Sequence, residues 1–147
     1  MGKKGYKQDK RGNGRYFMIT HVLSNSDAWK ACKSVARDVY CGLLKRYNGS
    51  NNGYIAYSCR DAADYANIGK NTAAQAFKKL EEVGLIKCIT ASNFDCRKKL
   101  AREWAVTYWS VDGHLPTNEW KTYKLKASPK QKRYSPLPST NWLKDII

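Results

Sequence analysis

Between Ser58 and Gly84 the chain reads SCRDAADYANIGKNTAAQAFKKLEEVG. It places two apolar-periodic segments on either side of a few polar residues, and no other stretch restricts the fold so strongly. Ser58 predicts an N-cap, with Asp61 at the capping-box position in place of the usual Glu. The helix it opens, about Cys59 to Ala66, buries Ala62, Ala63 and either Tyr65 or Ala66. Asn-Ile-Gly-Lys interrupts it, and Asn71 or Thr72 caps a following helix that runs to Val83. Ala73, Ala76, Phe77, Leu80 and Val83 form its apolar stripe, and Gly84 stops it. Helices this short hold their shape only by packing that stripe on further elements.

Those elements are legible on both sides. Upstream, Ala28, Cys32, Val35, Ala36, Val39, Tyr40, Leu43, Leu44 and Tyr47 recur at helical spacing, which predicts one helix from Asp27 to Tyr47, capped from the SNSD stretch. Before it, YFMITHVL (residues 16–23) is apolar enough to pack on the body as an extended segment. After it comes NGSNNG, residues 48–53. There Gly49 suits the left-handed end of the helix, and Asn52-Gly53 suits a turn into a short strand from Tyr54 to Tyr57. Downstream, Leu85 to Thr90 reads as a strand, Ala91 to Leu100 as a polar link, and Ala101 to Trp109 as a second strand with alternate apolar residues. The order predicts an α+β fold, a winged helix-turn-helix of three helices with a small antiparallel sheet.

Three stretches carry a family likeness: RYNGSNNGYIAYS, then RDAADYANIGKNTAAQAFKKLEEVGLI, then a strand with EWAVTYW after a short polar gap holding Phe94. Over residues 24 to about 120 the chain resembles the winged-helix DNA-binding proteins encoded by bacterial chromosomes, prophages and plasmids. The resemblance implies a transcription regulator or a replication-associated DNA binder and does not choose between them.

Charge supports a polyanionic partner independently of that likeness. The chain of 147 residues carries a net +15, and +5 of it lies in residues 1–15, +6 in residues 121–147 and only +4 in residues 16–120. Basic arms therefore flank a mildly basic body: an arm rich in glycine over 1–15, read as disordered, a DNA-binding domain over 16–120, and a proline-containing basic extension over 121–147. Neither arm has the apolar face of an interfacial helix, and no apolar run approaches a spanning length, so a membrane partner is not expected. The polar N-terminus predicts no signal peptide and a cytoplasmic, nucleoid-associated protein. Five cysteines at 32, 41, 59, 88 and 96 contain no Cys-x-x-Cys pair, and His21 and His114 stand apart from them. They read as small buried hydrophobes in a reducing compartment, with no metal site and no cofactor. Paired carboxylates with a supporting histidine, a phosphate-cradling glycine loop and a nucleophile motif are all missing, so no catalytic residue is assigned and no enzyme is expected.

With the apolar stripe turned inward, helix 71–83 presents Asn71, Thr72, Ala74, Gln75, Lys78, Lys79 and Glu82 outward. Asn71 and Gln75 suit bidentate pairing with adenine, Thr72 and Ala74 suit a thymine methyl, and Lys78 suits a guanine or a phosphate. Asn71 or Thr72 as a cap and Lys78 with Glu82 as an exposed ion pair are the plainer alternatives. Lys70 and Lys79 are better placed for the sugar-phosphate backbone. Both acids of the helix, Glu81 and Glu82, fall in its last turn, away from the end expected in the major groove. The link at 91–102 concentrates Arg97, Lys98, Lys99 and Arg102 on an expected wing, able to neutralise phosphates or enter a minor groove. Asn51 and Asn52 in the glycine-rich corner are further candidates for phosphate contact, against the simpler reading of a turn.

The remaining sequence concerns partners. Trp120 is expected to pack on the body, and the apolar end with Trp142, Leu143, Ile146 and Ile147 to dock on the same chain or on a second copy. A homodimer fits because one winged helix reads few bases. The leading expectation is a sequence-specific double-stranded DNA binder acting in transcription regulation. A replication or packaging accessory protein that binds DNA as a scaffold, meeting the transcription or replication machinery, is the alternative. RNA binding is a third, weakened because most of the eighteen aromatics sit at core-like positions.

Overall fold

In the computed structural model, which describes residues 15–90 and 101–126, the first helical region is split. A four-residue turn of helix, α1 (His21–Ser24), stands where an extended segment is expected. Helix α2 (Asp27–Ala31) is capped by Ser26, whose hydroxyl accepts from the Trp29 N–H at 3.2 Å. The chain then leaves helical geometry at Cys32 and re-enters it in α3 (Ser34–Lys45). The continuous helix from Asp27 to Tyr47 is therefore replaced by an elbow, and its cause is specific. The Arg37 guanidinium donates to the Trp29 carbonyl from both Nε (3.3 Å) and Nη2 (3.0 Å), and its Cζ lies 5.3 Å from the Trp29 ring centroid. One arginine thus closes the C-terminus of α2 and stacks on its aromatic. Cys32, 2% exposed, is drawn into the core by the bend.

The corner after α3 differs from its expected role in the same informative way. The helix ends at Arg46, three residues before Gly49. Asn51 closes the corner: its Nδ2 donates to the Arg46 carbonyl at 3.2 Å and its Oδ1 accepts from the Asn48 N–H at 2.9 Å. The Tyr54 N–H returns to the Asn51 carbonyl at 3.0 Å, making a turn in which Gly53 holds φ +91°. Such a φ at the third turn position favours glycine.

Strand β1 (Ile55–Ala56) is shorter than expected, and α4 (Cys59–Ala66) matches its prediction. Ser58 Oγ accepts from the Asp61 N–H at 3.1 Å while the Ser58 N–H donates to Asp61 Oδ2 at 3.2 Å, so aspartate completes the capping box. Asn67 ends α4 in the left-handed region at φ 54°. Helix α5 (Lys70–Glu82) then starts from Gly69 without a side-chain cap, so Asn71 and Thr72 lie inside the helix rather than capping it. Strands β2 (Ile86–Thr90) and β3 (Glu103–Val106) pair antiparallel, and β3 also pairs antiparallel with β1, giving a three-stranded sheet in the order β1-β3-β2. A short 3-10 turn at Glu119–Lys121 brings Trp120 into the core at 2% exposure, as expected.

The protein is thus α+β, with helices packed on a small antiparallel sheet. Ala73, Ala76, Phe77 and Leu80 fix α5 against α3, α4 and the sheet. Phe77 stacks on Trp104 of β3 with centroids 4.8 Å apart, and Tyr57 meets its edge at 5.4 Å. Trp104 is anchored in turn by its indole N–H, which donates to the Tyr57 carbonyl at 3.0 Å. Instead of alternating, β3 is buried at Trp104, Ala105 and Val106 in succession. Among the described residues no helix is long and apolar enough to cross a membrane.

Candidate functional site

Among the described residues, helix α5 is held from one side. Its four buried side chains lie along one stripe, and Lys70, Asn71, Thr72, Ala74, Gln75 and Lys78 are exposed. At 1.5 Å per residue these positions extend over about 12 Å of helix. Six of the seven non-wing residues expected to face DNA on this helix are therefore open to solvent, and Asn71, Gln75 and Lys78 share the side opposite Phe77 and Leu80. The seventh, Lys79, is half-buried, and its Nζ lies 3.5 Å from Glu82 Oε1. Glu82 thus pairs with Lys79, and Lys78 makes no ion pair with another described residue.

The N-terminus of α5 adds to this positive face. Gly69 offers no side chain to the first backbone N–H groups, Lys70 is the first helical residue, and no acid occurs in the first turn. Free N–H groups and the aligned peptide dipoles favour anions at such an end. The approach from α4 is held firmly: the Asn67 and Ile68 N–H groups both donate to the Ala63 carbonyl, the latter at 3.0 Å, and Ile68 packs against the core. The positions of Asn71 and Gln75 are consequently set by backbone geometry and packing, not by side-chain hydrogen bonds to other described residues.

The corner residues separate from the site. Asn52 is 3% exposed, and its amide points inward. Its Oδ1 accepts from the Val106 N–H at 2.7 Å, while the two hydrogens of Nδ2 are shared among the carbonyls of Val106 (2.9 Å), Trp109 (3.2 Å) and Ser110 (3.2 Å). The side chain thereby stands in for a missing residue of β1, giving Val106 the donor and acceptor that a neighbouring strand would supply. Asn52 is out of reach of a phosphate, which corrects the expectation of backbone contact. Asn51 is half-exposed, with both ends of its amide engaged in the corner itself.

Of the basic cluster expected on a wing, Arg97, Lys98 and Lys99 lie outside the described residues, as does Phe94. Arg102 is exposed at the entry to β3, and its carbonyl accepts from the Tyr57 N–H at 3.1 Å.

Titratable groups show no activated nucleophile among the described residues whose shifts are resolved. Burial pushes the Cys32 thiol up to about 11, outweighing nearby Lys79 and Arg37, and burial likewise raises Cys41 and Cys88. Raised thiols stay protonated near neutrality, the opposite of what a reactive cysteine needs. Burial also raises Tyr57 to about 12, against the lowering effect of Arg46, whose guanidinium lies 4.8 Å from the ring centroid. No group of three or more metal-ligating side chains occurs among the described residues.

The fold and this surface define an α+β protein that exposes the polar and cationic side of a well-anchored helix. Comparison with protein-family models, curated proteins and solved structures finds no match to the chain.

Proposed function

We propose that the chain is a winged helix-turn-helix protein that binds double-stranded DNA in a sequence-specific manner, without catalysis, and regulates transcription. One observation carries the reading: α5 is locked by Ala73, Ala76, Phe77 and Leu80 while Lys70, Asn71, Thr72, Ala74, Gln75 and Lys78 stand exposed on acid-free turns. A major groove admits one helix, and amides with short methyl-bearing side chains match its donor, acceptor and methyl pattern. Asn71, Thr72, Ala74, Gln75 and Lys78 are the proposed base-reading residues. Lys70 and Arg102 serve the sugar-phosphate backbone, joined by Lys79 when it leaves Glu82 and by Arg97, Lys98 and Lys99 of the wing. The net charge of +15 supplies the non-specific attraction. A homodimer would double the bases read, and the partners follow from the role: duplex DNA and the transcription machinery.

Selection of bound fragments from random duplex DNA tests this. A regulator recovers one short motif and prefers it to random duplex by at least about 1,000-fold at physiological salt. Gln75→Ala should relax preference at one position, and Lys78→Ala should weaken binding. Lys98→Ala with Lys99→Ala should weaken all duplexes alike and flatten the salt dependence. Tight binding with no recovered motif would instead identify a scaffold of replication or packaging, and stronger binding to single-stranded RNA would reject the duplex reading.

A further inference from the structure

The elbow between α2 and α3 opens a cleft of about 350 Å³ against the flank of α5. Ala36 and Ala76, both buried, form its floor, and the half-buried Ala31 and Val35 form one wall. Thr72 and Gln75 face them from α5. The charged side chains in this lining are Lys33 and Lys79, both cationic.

This wall is built and not frayed. The two hydrogen bonds from Arg37 to the Trp29 carbonyl fix the elbow, a third from the Cys32 N–H reaches the same oxygen at 3.1 Å, and Trp29 meets the edge of Tyr40 with centroids 5.8 Å apart. Its volume falls at the lower end of sites that hold small organic ligands, about 300 to 1,000 Å³. Apolar walls beside the Lys33 side chain and that of Lys79, whose Nζ lies 3.5 Å from Glu82 Oε1, call for a ligand with an apolar body and a single negative head. An inorganic phosphate would leave Val35 and Ala31 uncovered, a neutral hydrocarbon would desolvate Lys33 without pairing it, and a folded peptide segment is too large.

We infer that this cleft binds a small amphipathic anion, an aromatic carboxylate, with its ring on Ala31, Val35 and Ala76 and its carboxylate on Lys33 and, in exchange for Glu82, on Lys79. Thr72 and Gln75 donate to the same head group. Because Thr72, Gln75 and Lys79 also belong to the proposed duplex-facing helix, the occupied cleft holds side chains that DNA requires. Ligand and duplex then oppose one another. This consequence rests on the duplex reading; the ligand site itself does not.

Titration of the full chain with 2-naphthoate, followed by amide NMR and calorimetry, tests the site, with neutral 2-naphthamide as the control. Binding should saturate at one per chain, shift the amides of Ala31, Lys33, Val35 and Thr72, and exceed that of the amide at least tenfold. Lys33→Glu should weaken it at least tenfold. Ala31→Phe, at a half-exposed position, should fill the cleft and abolish binding while the melting curve stays native. Equal affinity for the two probes, shifts that map elsewhere, or wild-type binding by both variants would overturn the site. With a selected duplex, saturating naphthoate should raise the duplex Kd at least fivefold in the wild type and leave Ala31→Phe unchanged. An unmoved duplex Kd in the wild type would refute the opposition. A chain that takes naphthoate in the cleft and binds no duplex would uphold the ligand site and overturn the duplex reading; one that binds its duplex and ignores naphthoate would do the reverse.

Discussion

Replacing Asn52 with alanine should cost far more than an ordinary loop substitution. The side chain is 3% exposed: its Oδ1 accepts from Val106, itself fully buried, and its two amide hydrogens are shared among the carbonyls of Val106, Trp109 and Ser110. Removing it strands the Val106 N–H, and an orphaned buried donor costs about 2 kcal/mol. The carbonyls lose less. That of Val106 keeps the Trp109 N–H at 3.3 Å, and those of Trp109 and Ser110 lie near the surface, where water replaces the amide. The bonds of the two amide hydrogens, at the weak end, add about 1 kcal/mol, for a total of about 3 kcal/mol. For a domain of this size that lowers the melting temperature by about 12 °C. Urea unfolding should show a lower midpoint with an unchanged slope, and hydrogen exchange should show lost protection at the Val106 amide. Asn52→Asp should be at least as damaging, because it keeps an acceptor for Val106 but sets a carboxylate against three carbonyl oxygens. A loss under about 1 kcal/mol for Asn52→Ala, or a mild Asn52→Asp, would refute the role of this amide as a surrogate strand residue.

Gly84→Ala should destabilise by about 2 to 4 kcal/mol in the same assay, by left-handed strain and collision together. Gly84 holds φ +82°, and a Cβ there would lie 2.8 Å from the Glu119 carbonyl carbon and 2.9 Å from the Trp120 nitrogen. Asp61 gives a pH signature: the hydrogen bond from the Ser58 hydroxyl, helped by the Ser58 backbone N–H and by Arg46 and opposed by desolvation, holds its carboxyl below the usual range. A depressed folded pKa means stability that is present above the unfolded value of about 3.9 and is lost as pH falls through the folded value. Urea midpoints of Asp61→Asn should therefore fall less steeply than those of the wild type below about pH 4, and parallel curves would contradict the capping box.

How much of this was legible depends on how local the cause is. Helix α4 could be read to the residue because Ser58 and Asp61 act within one turn of each other. The end of α5 was readable to within one residue: Gly84 follows the last stripe residue and takes a positive φ, while the helix closes at Glu82 with Val83 as its cap. The elbow was hidden: Val35, Ala36 and Val39 continue the helical period past Cys32, and the bend is set by Arg37 reaching back eight residues to Trp29. Asn52 was misread for a related reason. Asn-Gly announces a turn, but the partners that turn the amide inward lie 54 to 58 residues away. On α5 the inward stripe was plain from periodicity and therefore so was the outward face, although Gly69 takes the N-cap position expected of Asn71 or Thr72. That Lys79 rather than Lys78 pairs with Glu82 depends on side-chain geometry that spacing alone leaves open.

The central claim is that the outward face of α5 meets base edges. A photoreactive benzophenone side chain placed at Ala74, an exposed position between the proposed readers, addresses it directly when the chain is bound to a selected duplex. Cross-links should form to bases at one or two fixed positions of the motif and vanish on random duplex. Cross-links only to a second protein chain, or none while the duplex is fully bound, would contradict the account.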